Sequence, residues 1–155
     1  MEHHLSEVEE AALLFCKLIE SIDEADRSWL RQISAVLPRL HVAVAALGVA
    51  PESVEQSGDV DLDVRFELYT NLRRIIGIRD AYWMEFDHMG EESASGSLAD
   101  DLTDIYYELK RSLPHLEIDA SQAVNDLRSG FKFHWGQHLV DAERHLYVLG
   151  SRNQL

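Results

Sequence analysis

Four residues in the C-terminal third have the types and spacing of a metal-binding helix edge: His134, His138, Asp141 and His145. Steps of four, three and four residues place them within roughly 60° of arc on an α-helix. Imidazole nitrogens and a carboxylate on successive turns form part of a ligand set for zinc, nickel, manganese or iron. One helix rarely completes such a site. The complement is Asp101, Asp104 and Glu108, which share a face of a preceding helix, and antiparallel packing of the two helices brings carboxylates to histidines. A divalent transition metal is the cofactor this arrangement implies. The competing arrangement needs no cofactor: a histidine–carboxylate network, with Arg144 holding Asp101 or Asp104 by bidentate pairing. The Glu-x-x-His pairs of di-iron bundles are absent from the core helices.

A second group is Asp80, Tyr82, Trp83, Glu85, Asp87 and His88, to which Trp135 adds an aromatic wall. Carboxylates beside aromatic rings suit the mouth of a pocket and acid–base work, and they equally suit a connecting segment anchored to a bundle. No nucleophile or phosphate cradle accompanies them. The chain has no glycine-rich phosphate loop, no Gly-x-Ser-x-Gly elbow and no His-Glu-x-x-His motif, so no catalytic residue is assigned. Ser95 and Ser97 read as capping residues.

These groups must be positioned by helices. Ser6 and Glu9 form a capping-box pattern for a helix over about 6–23, with Val8, Ala11, Phe15, Leu18, Ile19 and Ile22 at helical spacing. Asp26 or Ser28 caps a second helix, ended by Gly48 and Pro51 and kinked or broken at Pro38. Residues 51–59 read as a surface loop. A third helix over about 61–76 turns Val64, Leu68, Leu72, Ile75 and Ile76 inward and stops at Gly77. The aromatic segment 80–89 reads as a short helix or turn, followed by an acidic Ser/Gly loop over 91–96. Ser97 caps a fourth helix with Leu98, Leu102, Ile105 and Leu109 on one side, ended by Pro114. Asp119 or Ser121 opens the longest helix, which runs to Leu149. Inside it Gly130 and Gly136 imply a close neighbour or a bend. No alternating strand pattern competes. The expectation is one all-α domain over residues 1–155, a bundle of about five main helices with a short aromatic-rich connection.

Composition narrows the function. Against 14 Lys and Arg stand 28 Asp and Glu, a net charge of −14. Nucleic acid and anionic membrane surfaces require a concentrated basic footprint, so both are disfavoured as partners. The only cysteine, Cys16, lies among Phe15, Leu18 and Ile19 and reads as a core thiol; it allows no intramolecular disulfide. Acidic residues interrupt every apolar run near the start and no stretch is long enough to span a bilayer, which points to a cytoplasmic protein.

Residues 95–110 (SGSLADDLTDIYYELK) and 133–146 (FHWGQHLVDAERHL) resemble a bacterial domain-of-unknown-function family, number 5063. Residues 15–20 (FCKLIE) and 82–87 (YWMEFD) are similar to its earlier blocks, in the same order. The resemblance implies a small helical protein and carries over no catalytic role. The reading that follows is a non-enzymatic interaction or adaptor protein that binds a protein partner or itself as a homodimer and needs no cofactor. The alternative is a metal-binding protein, with hydrolysis as the chemistry it would carry, using the His134, His138, Asp141 and His145 edge with Asp101 or Asp104.

Overall fold

In the computed structural model, residues 2–50, 61–85 and 93–155 are described. The first helix, α1 (Glu2–Glu20), is already running at Ser6, so the Ser6–Glu9 pair lies inside it rather than at its start. It buries Val8, Ala11, Ala12, Phe15, Cys16 and Ile19 against α2 (Trp29–Ala45). Pro38 does not divide α2, which continues through it with Leu37 and Leu40 fully buried. Burial pushes the Cys16 thiol up to about 12. Its thiolate is therefore absent at neutral pH, and the expected result with Ellman's reagent at pH 8 is no reaction in native protein and one equivalent in guanidinium.

Helix α3 (Leu62–Ile76) is capped by the Asp61 carboxylate, which accepts from the Asp63 and Val64 amides, and stops at Gly77 with φ +63°. It lies on α4 through Leu68, Leu72 and Ile76. Val64, expected inside, is exposed, because α3 packs through a narrower face than its apolar pattern suggests.

Of the segment 80–89 expected to be helix or turn, the described part from Ala81 to Glu85 is a strand. β1 (Ala81–Glu85) pairs antiparallel with β2 (Ser93–Ser97), from Ala81 opposite Ser97 to Glu85 opposite Ser93. Its alternation, Tyr82 inward and Trp83 outward, is too short to signal a strand, and its Ser/Ala/Gly partner has no apolar pattern at all. Gly96 is required there: a Cβ would lie 2.3 Å from the Tyr82 ring.

Ser97 then caps α4 (Leu98–Ser112) as expected, accepting from the Asp100 amide. This helix is central, in contact with α1, α3 and the final helical run. A short turn of helix, α5 (His115–Ile118), leads to α6 (Ala120–Gly130), a π turn over Phe131–Trp135, and α7 (Gly136–Ser151). The long last helix therefore exists with one extra residue wound into it. The Gly136 amide donates to the Phe131 carbonyl five residues back, and a Cβ on Gly136 would lie 2.2 Å from that oxygen. The two glycines singled out in the sequence mark this irregularity. Among the described residues no helix is long and apolar enough to cross a membrane.

Candidate metal centre

α4 and the last helical run lie antiparallel, so that Asp101 and Asp104 face His138 while Glu108 faces His134. His138 sits between two carboxylates. Its Nδ1 lies 2.8 Å from Asp101 Oδ1 and its Nε2 lies 2.9 Å from Asp104 Oδ2. An ionised carboxylate only accepts, and a neutral imidazole carries one N–H. With one ring nitrogen donating, the contact at the other is satisfied by a proton shared with the carboxyl group or by a cation held between the two.

The surrounding groups hold this arrangement in place. Tyr82 reaches from β1 and donates its hydroxyl to Asp101 Oδ2. Burial raises the Asp101 carboxyl above the ordinary aspartate range, an effect opposed by its hydrogen bonds to His138 and Tyr82. The Tyr82 phenol is raised by its own burial and then by the Asp101 carboxylate, so it remains a proton donor. The other oxygen of Asp104, Oδ1, contacts the guanidinium of Arg65 on α3. His134 Nδ1 lies 3.3 Å from Glu108 Oε1, whose second oxygen accepts from Arg111 at 2.7 Å. Each histidine thus has a carboxylate at Nδ1. This is the outer-shell pattern that fixes the tautomer of a metal-ligating imidazole and turns Nε2 outward.

Asp104, His134 and His138 each present a ligand atom within 4.8 Å of the other two. The 2.9 Å between His138 Nε2 and Asp104 Oδ2 matches two ligands about 2.0–2.2 Å from one ion, at an angle near 90°. His134 is 40% exposed and can close the remaining gap by side-chain rotation. The π turn contributes directly. It spreads a turn over more than four residues, so that His134 and His138 lie nearly one above the other, each with a ligand atom within 4.8 Å of Asp104.

The other residues singled out in the sequence separate from this cluster. Asp141 lies 3.7 Å from Arg144 and lines a cavity of about 540 Å3 that also touches Tyr82, Asp101 and His138. His145 is turned away: its Nε2 donates to the Arg79 carbonyl at 2.6 Å and its ring stacks on Tyr82. Arg144 does not hold Asp101 or Asp104; it pairs with Asp141 and lies over the Tyr82 ring. The guanidinium on Asp104 comes from Arg65, which no spacing within α4 or α7 could indicate. Of the pocket group, Tyr82 borders the cavity, Trp83 projects outward at 75% exposure, and Trp135 is core at 1%. Asp87 and His88 lie outside the described residues.

Nearly the whole chain matches a family model. A sequence profile described as a domain of unknown function, DUF5063, covers residues 1–151. The chain belongs to this family. The solved structure of protein BF1032 from Bacteroides fragilis is similar in fold, with a TM-score of 0.72 at 22% identity over 93% of this chain and 90% of that one. At that identity the likeness shows the helical fold alone. No curated protein matches the chain at a significant level. The family description names no activity, and the structural likeness shows the helical fold.

Proposed function

We propose that this protein binds one divalent transition-metal ion at Asp104, His134 and His138. The observation that carries the reading is His138 between two carboxylates, its Nδ1 oriented by Asp101 and its Nε2 beside Asp104. Two imidazoles and one carboxylate leave coordination positions open to water or a ligand, as in catalytic rather than structural sites. Borderline nitrogen and oxygen donors suit zinc, iron(II), nickel or manganese over calcium or magnesium.

Titration of tag-free protein with Co(II) tests it. The expected result is one equivalent bound, with visible d–d absorption, and displacement by zinc. Metal-ligating imidazoles must be neutral, so binding weakens progressively below about pH 6. The absence of any stoichiometric metal by elemental analysis after reconstitution at pH 7.5 overturns the proposal.

A second reading, an interaction module or homodimer, is favoured by a separate observation. On the outward face of α7, Val140 and Tyr147 are 47% and 76% exposed, and Trp83 of β1 is likewise exposed beside that helix.

A further inference from the structure

The acidic character of the chain has a local exception. Between β1 and the C-terminal half of α7 runs a groove of about 230 Å3, lined by Trp83, Arg144, Val148 and Arg152, with Tyr82 and His145 at its base. Trp29 and Trp135 are 3% and 1% exposed, whereas the Trp83 indole is 75% exposed and forms one wall. Arg144 on α7 and Arg152, the residue just past its end, both line the groove eight residues apart, about 12 Å along the helix axis. Arg144 is engaged only loosely, with Asp141 and over the Tyr82 ring, and its side chain is half exposed. Arg144 has its nearest carboxylate at 3.7 Å, beyond hydrogen-bond distance, and Arg152 makes no ion pair with any described residue.

An indole beside an aliphatic side chain, between two guanidinium groups, matches an apolar side chain held between two carboxylates. Extended chain covers about 3.3 Å per residue, so acids four residues apart span the two arginines with a central apolar residue over Trp83 and Val148. We infer that this groove docks an acidic, extended peptide segment of a protein partner, of the pattern acid–x–apolar–x–acid. The inference rests on the interaction reading above and is independent of the metal centre. Bidentate pairing by the two arginines sets the register, and stacking on Trp83 supplies contact area at small entropic cost. A duplex nucleic acid, the other polyanion, meets the remaining surface of a chain with net charge −14.

Trp83 reports directly on the groove because the other two indoles are buried. The probes are the acetylated and amidated peptides Glu-Ala-Leu-Ala-Glu and Lys-Ala-Leu-Ala-Lys, titrated into full-length protein while tryptophan emission is followed. The expected result is a saturable blue shift with the acidic peptide alone. Affinity falls at least tenfold in R144E/R152E and by a smaller factor in R144K/R152K, which keeps the charge and loses the bidentate fork, with unchanged melting temperature certifying the fold. Undiminished binding by R144E/R152E, an equal response to the lysine peptide, or no saturable response overturns the inference. Light scattering on the same samples separates it from the broader reading: a dimer that persists in R144E/R152E sustains self-association while the peptide data refute the groove. A monomer without peptide response removes both.

Discussion

His138→Ala is expected to abolish metal binding and to lower stability at pH 7 by about 3 kcal/mol, a fall in melting temperature on the order of 6–12 °C for a chain of this size. The imidazole is the shared partner of Asp101 and Asp104, both of which are buried. Its removal leaves Asp104 with Arg65 alone and Asp101 with the Tyr82 hydroxyl but no cationic partner, and the cost of an unpaired buried charge exceeds that of a lost hydrogen bond. The pH dependence has a definite sign. The Asp101 carboxyl is already raised by burial, so the folded state holds its proton more tightly than the unfolded chain does. That contribution favours the fold below the unfolded value and is lost as pH rises through the folded one. Without His138 the upward shift grows. The deficit relative to wild type is therefore largest at neutral pH and narrows towards pH 4.5, which urea denaturation at the two pH values measures. A deficit that widens on acidification would contradict the account. Asp101→Asn is the milder companion: it keeps the three ligands, loses the orienting carboxylate, and weakens metal affinity by about 10- to 100-fold.

The second large effect is expected at a residue with no polar side chain. Gly136→Ala places a methyl 2.2 Å from the Phe131 carbonyl oxygen, a backbone atom that cannot rotate aside. Either the π turn persists under strain, or it relaxes to α-helical winding and rotates the two halves of the last helix relative to each other. Both cost about 3 kcal/mol. The second also turns His134 away from the line through His138 and Asp104, so Co(II) affinity should fall together with stability. Leu139→Ala serves as the comparison: it empties a fully buried position one residue from His138 and costs about 2–5 kcal/mol while leaving the turn intact. Equal metal affinity in Gly136→Ala and wild type would show that the π turn does not align the ligands.

The helical bundle was legible because its signals are local and redundant. The apolar periods of 8–19, 98–109 and 124–149 each mark a core-facing stripe, and caps at Ser97 and Asp119 mark where helices begin. The two-stranded ribbon was not legible, since β2 consists of Ser, Ala and Gly and acquires strand geometry only by pairing with β1. Of the kink or break expected at Pro38 the break does not occur: the helix continues where Leu37 and Leu40 on either side are held in the core.

The residue types and periods of the chain already named two helix edges rich in acids and histidines, since identity and spacing are what place side chains on a common face. Which members of those edges meet was beyond their reach. Asp141 and His145 share the edge with His138 yet face the cavity and the Arg79 carbonyl, because a helix face is wide and each side chain follows its nearest polar partner. Arg65, 39 positions before Asp104, becomes its neighbour only when α3 lies down on α4. The extra residue wound in before Gly136 sets the phase between His134 and His138. Contacts between elements and the phase of one helix against another are properties of packing, and packing turned a row of histidines into a candidate site of three.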